Sequence, residues 1–458
     1  MARRPRDARA APATREIRVT IAELAPGGDG VAIGELDGER RAIFMRGVAL
    51  GDVVRVAVDG SRRPARGRVL ELVEIGPGRV APECPHVELC GGCDWMHLSP
   101  AAQAAAHRAL VAAALPPSWQ GHDIVVHQAP RRLGYRTRAR LHVRVSGGRA
   151  IVGMHGAGTR EPVPVDACVV LDPRVERARV LLPALFEGAH GHGDVQLALG
   201  RKPPGADAAL PVLDIQWSGA LAGACYGRLE RGVTEGRWSG ARVHYGEVER
   251  PAIVGDPTPW MLGADGQPLR LAPGGFAQAS EEANAVLGAR VAAALEAIQQ
   301  SRAGAVDARV LRVVELYAGA GNFTVLLANP STTVTAVEAS REACEASRQN
   351  LAARALRAHV VEADAALQPW PPQTDVVVLD PPRTGARAVA ERLVASRIRH
   401  VVYVSCDPST LRRDLAVLEG SYAPRAIETF EMFPQTSHVE TLIRLERVPG
   451  TNSDRRAP

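Results

Sequence analysis

The chain has 458 residues, a formal net charge of +5 at pH 7, 46% hydrophobic and 23% charged residues. This length predicts two to four domains, and the composition is that of a folded globular protein. No run of about 18 apolar residues occurs, so no membrane span is expected. The arginine-rich start lacks the apolar segment of a secretion signal. We therefore expect a cytoplasmic protein whose basic balance permits a polyanionic partner.

The first part of the chain predicts a basic flexible tail followed by a small β domain. Residues 1–15 carry several arginines and no apolar periodicity. Residues 16–75 contain short alternating segments such as "EIRVTIAEL" and "GDVVRVAVDG", separated by glycine-rich turns. Short strands with such turns are typical of a small barrel.

The second part, residues 76–270, predicts a mixed domain. It opens on "CPHVELCGGC" and continues with "SPAAQAAAHRALVAAAL". The latter predicts a helix with Ser99 as N-cap and Pro100 in its first position. Strand patterns follow in "RARLHVRV", "AIVGMHG", "VQLALG" and "VLDIQW".

The third part, residues 271–447, alternates helical and strand patterns. The strand segments "RVVEL", "TVTAVE", "DVVVLDPP" and "HVVYVS" are almost continuously apolar. Such strands between helices predict a parallel sheet covered on both faces. Residues 448–458 are polar and predict a disordered tail.

Three cysteines, Cys84, Cys90 and Cys93, lie within ten residues in the spacing C-x5-C-x2-C. Without a secretion signal a reducing compartment is expected, where clustered cysteines bind metal more often than they form disulfides. One ligand is missing for a four-cysteine site, and Cys168 in "DACVVLDP" is the natural fourth. By geometry, four thiolates suit zinc and an iron–sulfur cluster equally well.

A glycine turn in "ELYAGAGNF" joins the first strand of the parallel sheet to a helix. Gly319 and Gly321 allow close approach of the backbone to a ligand, but Thr324 stands where a dinucleotide fingerprint has its third glycine. Glu338 ends the next strand, where an acid can bind ribose hydroxyls, and Asp364 follows the strand after it. The pattern fits S-adenosylmethionine, with a structural turn as the alternative.

Three further motifs follow strands or precede one. Asp380 lies in "DPPRTG" and Cys406 in "SCDP", each after an apolar strand, and Glu440 lies in "FPQTSHVE" before the last strand. Cysteine thiolate is a strong nucleophile, and the helix predicted after Cys406 would favour the thiolate form. Glu440 is preferred to His438 as a general base.

These motifs, in this order and with the cysteine cluster upstream, resemble the RNA 5-methyluridine methyltransferases. The resemblance spans residues 16–447 and is greatest to bacterial 23S ribosomal-RNA uracil-5 methyltransferases that carry an iron–sulfur cluster. It implies an α/β fold: a Rossmann-like class I S-adenosylmethionine-dependent methyltransferase domain, an N-terminal OB-like barrel (TRAM domain), and a mixed central domain with a 4Fe–4S cluster bound by Cys84, Cys90, Cys93 and Cys168.

The resemblance also implies a mechanism. Cys406 adds to carbon 6 of uracil, the resulting enolate accepts the methyl group of S-adenosylmethionine at carbon 5, and Glu440 removes the carbon 5 proton. Asp380 contacts the uracil ring, and the target base must leave its stack. The "FAQAS" stretch adds Gln278 as a cofactor contact and Phe276 near the target base. The implied cofactor-binding residues are Gln278, Tyr317, Gly319, Gly321, Asn322, Glu338, Asp364 and Asp380.

An arginine-rich stripe supports an RNA partner. Residues 131–149 contain seven arginines and no acid, and we expect Arg136 and Arg138 to contact RNA phosphates. The resemblance favours 23S ribosomal RNA as substrate and a monomeric enzyme. The alternatives are a transfer-RNA uracil-5 methyltransferase, a related enzyme that methylates a nitrogen without a cysteine nucleophile, and a non-catalytic RNA-binding iron–sulfur protein.

Overall fold

The computed structural model describes residues 15–202, 205, 207–246, 250–302 and 310–450. The predicted tails fall mainly on residues 1–14 and 451–458, which lie outside these ranges. The described residues form two compact units. Of the described residues, unit 1 comprises those within 15–85, 93–106 and 435–437, and unit 2 comprises those within 86–92, 107–434 and 438–450.

The helices are α1 (Pro100–Ala114), α2 (Pro173–Leu185), α3 (Gly223–Thr234), α4 (Glu281–Ser301), α5 (Thr324–Leu327), α6 (Arg341–Ala353), α7 (Arg387–Ala395) and α8 (Pro408–Leu418), with a 3₁₀ helix at Pro117–Trp119. The strands are β1 (Arg15–Thr20), β2 (Glu23–Leu24), β3 (Gly30–Leu36), β4 (Glu39–Met45), β5 (Val53–Asp59), β6 (Ala65–Glu74), β7 (Val125–His127), β8 (Ala139–Ser146), β9 (Arg149–Gly153), β10 (His190–Leu199), β11 (Pro211–Ala220), β12 (Gly240–Tyr245), β13 (Ala252–Gly255), β14 (Trp260–Leu262), β15 (Pro268–Arg270), β16 (Leu311–Leu316), β17 (Thr332–Glu338), β18 (His359–Glu362), β19 (Val376–Leu379), β20 (His400–Ser405), β21 (Tyr422–Phe430) and β22 (Glu440–Arg447).

Unit 1 contains a six-stranded sheet in the order β1-β5-β6-β4-β3-β2. Its strands alternate, so that residues such as Val19, Ile43 and Val56 are buried in one apolar core. The segment Gln435–Ser437 belongs to this unit: Gln103 and Gln435 exchange hydrogen bonds of 2.9 Å, and Asp94 accepts from the backbone and hydroxyl of Ser437 at 2.8 and 2.6 Å.

Helix α1 confirms the prediction made from its start, because the Ser99 hydroxyl accepts from the Ala102 N–H at 3.2 Å and Pro100 is its first residue.

Within unit 2, a second six-stranded sheet has the order β13-β12-β11-β10-β8-β9. Helices α2 and α3 cover one face of this sheet, where Leu141, Leu182 and Leu229 share a core.

The third sheet, also in unit 2, has eight strands in the order β18-β17-β16-β19-β20-β22-β21-β7. The first five strands are mutually parallel, and β22 is inserted antiparallel between β20 and β21. Val376 and Val378 belong to the apolar core on one face, and Val377 and Leu379 to that on the other. The predicted parallel sheet, buried on both faces, is therefore confirmed.

No helix in the described ranges is both long and apolar enough to cross a membrane.

Candidate active site

The sheet topology brings three predicted catalytic residues to one edge. Asp380 follows β19, Cys406 follows β20, and Glu440 is the first residue of β22. Strands β19 and β20 are parallel neighbours, and β22 runs antiparallel to β20 with Thr441 opposite Ser405. Two strands therefore end where the third begins, which places all three side chains at the same edge of the sheet.

Burial and mutual repulsion keep protons on this group of side chains. Burial, followed by the negative charges of Glu440 and Asp380, raises the pKa of the Cys406 thiol to about 12. Burial raises the pKa of Asp380 to about 7. Burial and the charge of Asp380 raise the pKa of Glu440 well above its ordinary range. Arg383 acts in the opposite direction and lowers the Cys406 pKa.

This electrostatic state differs from the expectation that the helix after Cys406 would favour a thiolate. Helix α8 does begin at Pro408, with the Asp407 side chain accepting from the Thr410 N–H at 2.8 Å. However, burial and two nearby carboxyl groups outweigh any effect of the helix dipole. A thiol whose pKa is raised to about 12 is protonated at neutral pH.

The loop that carries Asp380 is fastened to helix α8. Asp414, which is fully buried, accepts from the Ala386 N–H at 2.6 Å and from the Tyr403 hydroxyl at 2.8 Å. Arg413 donates to the Thr384 carbonyl at 2.9 Å. Because α8 also follows Cys406, one helix fixes the loops of the nucleophile and of the acid.

Glu440 and His438 lie in different environments. Glu440 is 3% exposed, and its Oε1 has no hydrogen-bond partner among the described residues. His438 is exposed, lies 3.2 Å from Arg383 between nitrogen atoms, and packs edge-on against Phe433 with ring centroids 6.1 Å apart. The buried carboxyl group next to Cys406 is thus better placed than the histidine to exchange a proton with a bound base. Arg383 and Phe433 are contacts that the sequence reasoning did not assign.

The glycine turn after β16 has the backbone shape of a ligand loop. Tyr317, Gly319 and Gly321 have φ values of +63°, +56° and +86°, and a side chain at position 319 would meet open space. The Gly319 N–H donates to Glu338 Oε2 at 2.9 Å, and the Ser340 N–H donates to Glu338 Oε1 at 2.8 Å. Two backbone amides therefore orient the Glu338 carboxylate at the end of β17.

Other predicted cofactor residues have varied surroundings. Gln278 is buried, and its Oε1 has no hydrogen-bond partner in the described part of the chain. Asp364 is exposed and accepts from the Ala366 N–H at 2.8 Å. The side chain of Asn322 is engaged within the protein, because it exchanges hydrogen bonds of 2.8 and 3.1 Å with Asn284 and accepts from the Ala264 N–H at 3.0 Å.

Glu315 is a buried acid beneath the glycine turn to which the sequence reasoning gave no role. It is 2% exposed and accepts from the Thr324 hydroxyl at 2.6 Å. Burial raises the pKa of Glu315 to about 8. Its place at the end of an apolar strand, before two glycines, was the available signal.

Comparison with known proteins finds similarity to uracil-5 methyltransferases over nearly the full chain. A family profile described as tRNA (Uracil-5-)-methyltransferase matches residues 363–448, and one described as Methyltransferase small domain matches residues 297–402. The 23S rRNA (uracil(1939)-C(5))-methyltransferase RlmD of Alkalilimnicola ehrlichii is 33% identical over 460 residues, covering 94% of this chain and 96% of that protein. The protein of the same name from Enterobacter sp. (strain 638) is 32% identical over 448 residues, covering 94% and 96%.

The chain belongs to the RNA uracil-5 methyltransferase family. Among solved structures, the Pyrococcus abyssi tRNA (uracil-54, C5)-methyltransferase in complex with S-adenosyl-L-homocysteine has a TM-score of 0.67 at 21% identity, covering 94% of this chain and 100% of that one. This likeness shows a shared fold, the class I S-adenosylmethionine-dependent methyltransferase fold, which confirms that part of the predicted fold class.

The four cysteines predicted as metal ligands are divided between the two units. Cys84 and Cys93 belong to unit 1, and Cys90 and Cys168 to unit 2. None of the seven cysteines, all within the described ranges, forms a disulfide. Over those same ranges no group of three His, Cys, Asp or Glu side chains is arranged to hold a metal ion. The ligand set therefore stays a prediction.

The predicted RNA contacts are unevenly exposed. Phe276 is 77% exposed. Arg136 lies over the Phe433 ring, with its guanidinium carbon 5.8 Å from the ring centroid. Arg138 is 9% exposed and donates to the Gly275 carbonyl, and burial lowers its pKa to about 10. Arg131 and Arg132 form ion pairs with glutamates, so the stripe is not one open basic face.

Proposed function

We propose that this protein is an RNA (uracil-5-)-methyltransferase that transfers the methyl group of S-adenosylmethionine to carbon 5 of a uridine in 23S ribosomal RNA. The observation that carries this proposal is the meeting of Cys406, Asp380 and Glu440 at one sheet edge. The full-length similarity to proteins named 23S rRNA (uracil(1939)-C(5))-methyltransferase supports the choice of substrate.

The side chains can perform each proton and bond change on the uracil ring. Cys406 adds to carbon 6 while its thiol proton passes to the ionised fraction of Asp380, and the carbon 5–carbon 6 π electrons form an enolate. Asp380, whose raised pKa keeps it partly protonated near neutral pH, can donate a hydrogen bond to the ring oxygen that gains charge. Glu440 in its ionised form then accepts the carbon 5 proton, and the returning electron pair expels the Cys406 sulfur.

The residues around the glycine turn fit S-adenosylmethionine as methyl donor. The unpartnered Gln278 Oε1 is an acceptor for an ammonium group, and the oriented Glu338 carboxylate suits ribose hydroxyls. Gly319 leaves open space beside Tyr317, Gly321 supplies the positive φ of the turn, and Asp364 completes the set. When bound, S-adenosylmethionine supplies an electrophilic methyl group to carbon 5. Asn322 would act through its hydrogen bonds with Asn284, which hold the turn.

The remaining domains are proposed to bind RNA. Residues 16–75 are proposed to form the OB-like TRAM barrel, 76–270 the central domain and 271–447 the catalytic domain. A β-carbon at Gly34 on β3 would lie 2.8 Å from the Ile17 side chain on β1, although three strands separate β1 and β3 in the sheet order. This curling of the sheet supports a barrel. Phe276, Arg136 and Arg138 are proposed to lie on or behind the RNA-binding surface.

We also propose that Cys84, Cys90, Cys93 and Cys168 bind a 4Fe–4S cluster. Support comes from the donor chemistry of four thiols outside disulfides, while the structure holds no ready metal-binding group in its described residues. No step of the reaction depends on the cluster. Protein purified without air should be brown and contain about four iron and four sulfide per chain; colourless protein with stoichiometric zinc would show a zinc site instead.

The substrate proposal is tested by mapping 5-methyluridine in a strain that lacks the gene. We expect one position in 23S ribosomal RNA to lose its methyl group and to regain it with the purified enzyme, which we propose is a cytoplasmic monomer. Loss confined to transfer RNA would favour the second candidate, the transfer-RNA activity named in the matching family profile. Unchanged methylation in both RNAs would reject the proposed function.

A further inference from the structure

One face of the central sheet in unit 2 carries polar side chains in register across four strands. Arg140 on β8 is opposite Gln196 on β10, Gln196 is opposite Asp214 on β11, and Asp214 is opposite Arg242 on β12. In the next row, Asp194 is opposite Gln216. The alternate residues of the same strands point into the apolar core beneath helices α2 and α3.

This polar face forms one wall of a cavity of about 450 Å³, lined by both rows of side chains, by Gly274 and Gly275, and by the start of helix α6. The volume lies within the usual range for small-molecule and nucleotide sites. None of the predicted cofactor residues lines it. The cavity is therefore distinct from the site around the glycine turn.

The side chains that line the cavity include both hydrogen-bond donors and hydrogen-bond acceptors. Gln196 uses its amide N–H to donate to the Gly275 carbonyl at 3.3 Å, and no described residue donates to its Oε1. Arg140 is exposed and forms no hydrogen bond or ion pair with the described residues. Arg242 is already paired with Asp214 at 2.5 Å. The lining thus combines an available cation with amide groups and carboxylates.

This chemistry suits the edge of a nucleobase better than a phosphate. Asp194, Asp214 and Glu342 line the cavity together with two arginines, so the charges nearly balance and an anion would gain little. Neutral base edges present donors and acceptors side by side, which amide and guanidinium groups recognise. An apolar group, such as a methionine side chain or a lipid, forms no hydrogen bonds and would leave these polar groups unpaired.

Two neighbouring features relate the cavity to the site of chemistry. Gly275 precedes Phe276, whose ring is 77% exposed and is available for stacking. Ser340 and Glu342, also in the lining, follow Glu338 on the chain, and Ser340 contacts the Glu338 carboxylate. A nucleotide in the cavity would therefore lie beside the proposed cofactor site.

We propose that this cavity binds one unpaired base of the RNA substrate, flanking the target uridine, with Gln196, Gln216 and Arg140 reading its edge. The inference rests on the proposed RNA methyltransferase function and extends it to substrate selection. The base enters with its sugar and phosphate left outside, as is usual for recognition of single-stranded RNA.

The test combines protein variants with RNA hairpins that contain the target uridine and a single abasic residue at successive flanking positions. For wild-type enzyme, one abasic position should raise KM for RNA about tenfold. Gln216→Ala and Arg140→Ala should raise KM similarly on intact RNA, and neither should add to the effect of that abasic position. Their kcat and S-adenosylmethionine affinity should stay at wild-type values, which also shows that they fold.

Arg177→Ala is the matched control, because it removes an exposed arginine from α2, on the other face of the same sheet; its KM should not change. Additive effects at every abasic position, or a loss of S-adenosylmethionine affinity instead of RNA affinity, would overturn the inference. Failure of wild-type enzyme to methylate intact RNA would reject the proposed function itself, a separate result.

Discussion

The protonation state of Cys406 can be measured directly in the enzyme without substrates. The pKa of about 12, against an ordinary 9.0, implies that at about pH 8 the thiolate fraction is about 10⁻⁴ instead of about 10⁻¹, a thousandfold difference. Iodoacetamide reacts with the thiolate, so its rate with Cys406 should rise about tenfold per pH unit up to about pH 10.5 without levelling. Mass spectrometry of the Cys406 peptide gives this rate, with urea-unfolded protein as the reference.

Two variants with opposite expected effects on the rate of Cys406 alkylation distinguish an effect of charge on the thiol pKa from limited access of the reagent to the thiol. Glu440→Gln removes one source of negative charge and so lowers the pKa of Cys406. At alkaline pH Cys406 should therefore react faster. Arg383→Gln removes the positive charge that lowers this pKa, so Cys406 should react more slowly. Limited access would change the rate by the same factor at every pH. A wild-type rate that levels off below about pH 9, or equal profiles for the two variants, would refute the reasoning.

Three further outcomes are expected. Glu440→Gln should form the covalent complex with unmodified RNA but release product about 10² to 10⁴ times more slowly, seen as a persistent band on a denaturing gel; free turnover would contradict its role. Gln278→Leu should weaken S-adenosylmethionine binding about tenfold in calorimetry, and unchanged affinity would remove it from the cofactor site. The folded pKa of Glu315 lies above its ordinary 4.5, at about 8, so its contribution to stability is present below about pH 4.5 and is lost as pH rises to about 8. As pH rises over that interval, the free energy of unfolding of Glu315→Gln, measured with urea, should therefore increase by up to about 5 kcal/mol relative to that of wild type. Parallel pH profiles of the two free energies would contradict this.

The strand-end residues could be predicted from sequence because parallel strands impose a simple geometry. Asp380 and Cys406 each follow a short, continuously apolar segment, and such segments become neighbouring buried strands whose carboxyl ends meet. The start of α1 could also be predicted from the sequence, since Ser99 and Pro100 are local signals that do not depend on the rest of the fold.

Features set by long-range packing could not be predicted in this way. Helix α3 begins at Gly223 without a side-chain cap, so its sequence contains no start signal. Burial, followed by the charges of Glu440 and Asp380, raises the pKa of Cys406, and only the folded sheet buries this thiol and brings the two carboxyl groups close. Arg138 lies in an arginine-rich stretch but is buried against the Gly275 carbonyl, a contact between segments far apart in the sequence.

The nucleophile assignment is the central claim, and trapping tests it most directly. RNA with 5-fluorouridine at the target position has no carbon 5 proton to lose, so the enzyme should remain covalently attached after methyl transfer. With S-adenosylmethionine present, we expect a complex that survives denaturing electrophoresis for wild-type enzyme and for Cys225→Ala, whose buried cysteine lies in α3, and no complex for Cys406→Ala. A trapped complex with Cys406→Ala, or methylation of ordinary RNA by this variant at the wild-type rate, would contradict the account.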